Sequence, residues 1–297
     1  MQPTTFVVNF SFILLALALI GTVCSFRKSV QIYELAQKQS LTNSQQVVIQ
    51  SVARNEEGDG KKKLPPPLVR AVMKKTVTIN TLSKLMESGA DINAVEDEWS
   101  RSALHFASRQ CSPEVVAWLV KNGADINQPD RVGYTPLMVA INEGRLETTA
   151  SKLLELGADA RTVDKQATSV LHLACMLDMD IPKTVAQLIS HGADVNQQSD
   201  LGVSPLMVAI QEGHIESVRT FLELGADIHA VDTLGNSALH MAYAYYWQFP
   251  QIVDILISHG ADINQLNNQG DTPIAFLHYS IDIDRSIGRT DLRRTRF

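Results

Sequence analysis

DRVGYTPLMVAINEGRLETTASKLLELGADART, residues 130–162, decides the fold of this chain. Asp130 and Gly133 form a polar turn in which glycine supplies the positive φ. Thr135 stands as an N-cap ahead of Pro136, which takes the first helical position, where a missing N–H costs nothing. Leu137, Ala140 and Ile141 then recur at helical spacing until Gly144 breaks the helix. Leu146, Ala150, Leu153 and Leu154 mark a second helix, which Gly157 closes as a C-terminal cap. Helices of about 8–11 residues are marginal alone. Such a unit buries its apolar stripe only against copies of itself.

Copies are present. The tripeptide GAD begins at 89, 123, 157, 192, 225 and 260, in steps of 34, 34, 35, 33 and 35. A helix-opening landmark accompanies it: PLVRA (67–71), SALHFA (102–107), TPLMVA (135–140), SVLHLA (169–174), SPLMVA (204–209), SALHMA (237–242), and TPIAFL (272–277) with no GAD after it. A period near 33 residues denotes a stacked array whose stability is a sum over neighbours. A longer period overlies it. PLMVAI and LELGAD recur verbatim in the units opening at 135 and 204, and ISHGAD in those opening at 169 and 237, as if a two-unit module had been duplicated.

These motifs resemble the ankyrin repeat: a turn with Asp and Gly, then T-P-L-H-x-A, G-H, and L-L-x-x-G-A-D. The resemblance covers about 67–280. It implies an all-α repeat solenoid of helix pairs with β-hairpin fingers, here six complete repeats and a terminal half-repeat, and a protein-binding role through the fingers and first helices. It also implies that His105, His172 and His240, in the fourth place of the motif, bond locally to support the fingers, and that His214 is the Gly-His of the turn. The units opening at 102, 169 and 237 depart from the family. They lack Gly-His and carry Pro113, Pro182 and Pro250, each placed to open a second helix. The loop before that proline lengthens from 108–112 to 175–181 and 243–249, which suggests either a row of recognition loops spaced two repeats apart or neutral insertions.

Four segments are expected: a hydrophobic segment 1–26, a linker 27–66, the repeats 67–280, and an Arg-rich cap or tail 281–297. Residues 6–26 hold no charged side chain and approach the roughly 20 residues that span a bilayer. The expected role is a single-pass membrane anchor; Arg27 and Lys28 after it place the repeats in the cytoplasm by the positive-inside rule. The alternatives are an export signal cleaved near Ser25, a lipoprotein signal with Cys24 acylated, and a buried core helix. Residues 30–38 suggest a short helix. Lys61 to Lys63 and the prolines at 65–67 read as a solvated, stiff stalk. GDGKKK lacks the glycine spacing of a phosphate-binding loop. Formal charge is −6, but residues 64–280 carry −11, while 27–63 carry +3 and 281–297 carry +2. An acidic body argues against nucleic acid and for a protein partner with a basic face.

Chemistry finds little purchase. Three cysteines at wide spacing exclude a disulfide scaffold, and no CxxC, HExxH or GxSxG occurs. No cofactor, metal or catalytic residue is expected. His172 and Cys175 lie three apart, a spacing that core packing explains; His191 and His259 precede the glycine caps, where a cation suits the helix dipole. The six GAD aspartates recur with the turns and belong to them. Binding is better served. Tyr243, Tyr245, Tyr246, Trp247 and Phe249 concentrate aromatic side chains in seven positions, the residue types favoured as interface anchors. Tyr243 alternatively fills core. Finger tips and first-helix ends offer Trp99, Arg131, Tyr134, Asn142, Glu143, Met176, Leu201, Gln211, Glu212 and Leu234.

The expected function is a non-catalytic binding module, membrane-tethered or exported, monomeric outside its complexes. Two sharper readings stand beside it: a bacterial immunity protein that neutralises a cognate toxin, and a secreted effector or adaptor acting on host proteins. An enzyme has no room, since repeat scaffold uses up the folded length.

Overall fold

The computed structural model describes residues 64–277 apart from Lys75, 178–180 and 246–248. The hydrophobic segment at 6–26, the linker through Lys63, the suggested helix at 30–38 and the Arg-rich tail lie outside the described residues, as do Tyr246 and Trp247.

Six helix pairs follow in order: α1 (Pro67–Val72) and α2 (Ile79–Glu87), α3 (Ala103–Gln110) and α4 (Pro113–Lys121), α5 (Pro136–Asn142) and α6 (Ser151–Glu155), α7 (Val170–Cys175) and α8 (Pro182–Ser190), α9 (Pro205–Gln211) and α10 (Ile215–Glu223), α11 (Ala238–Ala244) and α12 (Pro250–Ser258). A single helical turn at 273–277 ends the described chain. Pro113, Pro182 and Pro250 open α4, α8 and α12, as their positions predict. Thr135 accepts the backbone N–H of Met138, as an N-cap does. First helices are buried nearly all round: Pro136 through Ile141 in α5 and Pro205 through Ile210 in α9 are all buried. Second helices bury one stripe, such as Val115, Val116 and Leu119 in α4.

The second helix of the unit at 130–162 departs from a plain α-helix. It begins as a π-helical turn, Leu146–Ala150, in which the Ala150 N–H bonds to Arg145 O, before becoming α6. Counting explains it. From Thr135 to Gly157 is 22 positions, whereas the sister unit needs 21 from Ser204 to Gly225. One extra residue inside a helix is accommodated by widening one turn.

Fingers connect the pairs. The Gly of GAD is 12 positions before the next cap residue at 123–135, 157–169, 192–204, 225–237 and 260–272. Isolated antiparallel bridges Val95–Ser102, Val163–Ser169 and Val231–Ser237 close three of them. A backbone ladder runs from tip to tip: Arg131 N–H to Trp99 O, Lys165 to Val132, Asp200 to Gln166, Thr233 to Leu201 and Asn268 to Leu234, at 2.7–3.1 Å. Inside three fingers a buried carboxylate gathers backbone donors. Asp130 accepts from Val132 and Tyr134, Asp164 from Gln166 and Thr168, and Asp232 from Leu234 and Asn236. The first finger is one residue longer, with Ser100 at φ 56°, and there Glu96 replaces aspartate. Its longer side chain reaches Glu98, Trp99 and Arg101.

Candidate interaction surface

The histidines do what the motif implies. His105 Nδ1 accepts the Ser102 N–H, which fixes the neutral tautomer, so Nε2–H donates to Tyr134 O at 3.0 Å. His172 repeats this with Ser169 and Val203 O, and His240 with Ser237 and Asp271 O. Burial lowers the pKa of all three, His172 to about 4. His191 and His259 bond through Nδ1 to the carbonyls of Gln187 and Ile255, four residues back on their own helices. Cys111 and Cys175 are buried free thiols, and burial raises the Cys111 pKa, which suppresses thiolate chemistry. Among the described residues no group of three or more His, Cys, Asp or Glu is placed to hold a metal.

The candidate anchors fall into two groups. On the fingers, Arg131 and Leu201 are exposed, while Trp99, Tyr134 and Leu234 are half-buried. The Arg101 guanidinium stacks 5.9 Å from the Trp99 ring, and Arg131 reaches Asp97 O. Tyr134 serves the scaffold as well, since its carbonyl receives the His105 bond.

The second group gathers at the helix–helix loops. Two of the loops predicted to form a row end against the unit opening at 204, one on helix α10 and one on the turn Gln211–His214. The Ile181 N–H at the end of the first donates to Ser217 Oγ at 3.3 Å. The Phe249 ring, at the end of the other, lies directly over Gly213, where no Cβ would fit. Met176, Gln211, Tyr243 and Tyr245 are half-buried and Glu212 is exposed. Phe249 is therefore partly spent on packing. The first loop is tied down differently: Arg145 donates to Cys111 O at 2.7 Å, to Arg109 O and to Thr149 Oγ1, and Glu143 pairs with Arg109 at 3.2 Å. Asn142 beside it is exposed.

One column went unnoticed in the sequence. Val163, Val231 and Leu266, each just before the buried Asp or Asn of a finger, are 38%, 37% and 60% exposed. β-Branched residues in strand-like segments read as core by default; the signal that would have found them is their register opposite a buried neighbour.

A stack of helix pairs joined by hydrogen-bonded fingers is a repeat solenoid. The chain belongs to the ankyrin repeat family: models described as "Ankyrin repeats (3 copies)" match residues 68–164 and 148–232, and "Ankyrin repeat" matches 234–268. It is similar to Neurogenic locus notch homolog protein 1 of Mus musculus, 33% identical over 169 residues that cover 55% of this chain and 6% of the relative. It is also similar to Putative palmitoyltransferase ZDHHC13 of Danio rerio, 31% identical over 194 residues, 64% of this chain and 29% of the relative. The chain thus spans less than a third of these relatives. Among solved structures, the ankyrin repeat domain of Bcl-3, titled a unique member of the IkappaB protein family, superposes with a TM-score of 0.62 at 28% identity, covering 74% of this chain and 97% of that one. Ankyrin repeats mediate protein–protein interaction, and the fold is typically non-catalytic.

Proposed function

We propose that this chain is a membrane-tethered, non-catalytic binder that holds a partner protein along its fingers and helix–helix loops. The observation that carries the reading is that the ends of two loops, Ile181 and Phe249, both rest on the unit opening at 204, at Ser217 and Gly213. Met176 and Tyr245, on these loops, and Gln211, at the end of the first helix of that unit, are half-buried large side chains; large side chains are the kind that anchor interfaces. The exposed finger residues Val163, Leu201 and Val231 extend the apolar part of that surface. The net charge of −11 over residues 64–280 favours a partner with a basic face. Tethering rests on the uncharged stretch at 6–26; among the described residues no helix is long and apolar enough to cross a membrane.

Photo-crosslinking residues introduced in the full chain at Met176, Leu201 and, as a control on a second helix, Glu114 test this. The expected result is one protein captured from positions 176 and 201 and not from 114, and lost when Tyr245→Ala is added. Equal capture from all three positions refutes the surface. A reporter fused to the C-terminus decides the membrane side, and an N-terminus intact at residue 1 is required for the anchor.

A further inference from the structure

Two kinds of polar staple join neighbouring units. One is the histidine bond: His105 to Tyr134 O, His172 to Val203 O and His240 to Asp271 O, at 2.9–3.1 Å. The other comes from an asparagine two positions past the Asp of GAD, whose Oδ1 accepts the backbone N–H of the next GAD aspartate. Asn93 takes Asp125, Asn127 takes Asp159 and Asn196 takes Asp227, at 2.7–2.9 Å.

The staples alternate. Both are present between the units opening at 102 and 135, and between those opening at 169 and 204. Neither forms between 135 and 169 or between 204 and 237. There Met138 and Met207 occupy the histidine position, and Arg161 and His229 the asparagine position. The N–H groups of Asp194 and Asp262 consequently have no acceptor among the described residues. At the first of these seams Arg161, 73% exposed at its side chain, folds back onto its own Asp159 at 3.0 Å. An open cleft of about 480 Å³ lies across it, lined by Asn127, Asp159, Arg161, His191 and Gly192. What crosses this seam includes Lys165 N–H to Val132 O, a Ser151–Gln187 side-chain pair and, within the finger, the Val163–Ser169 bridge. At the second seam, Thr233 N–H bonds to Leu201 O and the Phe249 ring packs on Gly213. The unit opening at 67 is joined to its neighbour by Asn93 and by Gln110 Nε2 to Val72 O.

We infer that the array is segmented into blocks, residues 67–163, 164–231 and 232–277, which open and flex at the seams after 163 and 231. In a linear array, opening at a junction loses only the interface there, so the least stapled interface opens first. Two missing staples correspond to an opening constant on the order of 10-fold to 100-fold larger than at a stapled junction.

Hydrogen exchange of the full chain in detergent micelles, followed by mass spectrometry at rising denaturant, tests this. The expected result is a stepwise release with boundaries after 163 and 231. A single cooperative release, or boundaries at every unit, overturns the inference. Arg161→Asn, at an exposed position, restores one staple and is expected to slow opening at the first seam by roughly threefold to tenfold. Asn196→Ala is expected to create a new boundary inside 164–231. If Arg161→Asn leaves the first seam unchanged, staples do not set it and the segmentation falls.

Discussion

Acid should loosen this array through its buried histidines, and the effect of one can be worked out. His172 is buried, its two ring nitrogens are both engaged, and its pKa is lowered from the ordinary 6.5 to about 4 by desolvation, only partly offset by the bond to Val203 O. Protonation would place a second N–H against the Ser169 N–H that Nδ1 now accepts. Between pH 6.5 and 4 the unfolded chain binds the proton and the folded chain does not. Stability therefore falls as pH drops through 6.5, and the loss levels off near 4. From pH 7 to pH 5 this single group costs about 2 kcal/mol, roughly 20-fold in the folded-to-unfolded ratio. His105 and His240 shift in the same direction. The buried Asp164 and Asp232 oppose them, because burial raises their pKa values above the ordinary carboxylate range and acid then favours the folded state. The informative comparison is thus between variants. His172→Gln keeps an acceptor and a donor but cannot titrate. Urea denaturation followed by circular dichroism at pH 7 and pH 5 should show wild type losing about 2 kcal/mol more than the variant. Parallel pH dependence in the two proteins would refute the assignment.

Three further outcomes are expected from the same denaturation assay. Ala167 sits at φ 57°, where four other fingers have glycine, so Ala167→Gly should stabilise by about 1 kcal/mol; a loss of stability contradicts the strain. Gly133 and Gly225 both have positive φ, but a Cβ at 133 would meet the Asp164 backbone at 2.9 Å while one at 225 meets nothing. Gly225→Ala should cost about 1 kcal/mol and Gly133→Ala about 2–4 kcal/mol; equal costs would show that the finger gives way. Arg145→Ala removes the bonds to Cys111 O and Arg109 O and leaves the buried Thr149 hydroxyl without its guanidinium partner, for a loss of about 1–3 kcal/mol. No measurable change would mean the loop at 108–112 is held without Arg145, by contacts such as the Arg109–Glu143 pair and Gln110 to Val72 O.

The architecture was legible because each local signal serves the stack: Pro at the first helical position, Ser or Thr at the cap, Gly after the second helix. The local bonding of the capping histidines was legible through the family resemblance, and the structure shows how it is made: Ser-x-x-His places the imidazole within reach of its own N-cap. The π-helical turn was not read, although the count from Thr135 to Gly157 contains it. Periodicity of Leu146, Ala150, Leu153 and Leu154 tolerates one extra residue without losing its apolar face. The placement of the candidate anchors was only half legible. Leu201 and Arg131 are exposed on fingers, but Phe249 turned out to lie on Gly213, because an aromatic in a loop can be satisfied by a glycine of the neighbouring unit, 36 positions away in sequence. Nor did composition announce Val163, Val231 and Leu266, whose exposure depends on which side of a finger faces out.

Every change of repeat length in this chain between Ser102 and Thr272 falls in the helical half of a unit, in a loop before proline or in the widened turn at Leu146–Ala150, while the 12-position finger stays constant. The ladder of tips therefore acts as a fixed ruler. A residue can be gained behind it without moving any finger out of phase with its neighbours. The loops can diversify their chemistry unit by unit while the spacing a partner would measure along the tips is inherited unchanged.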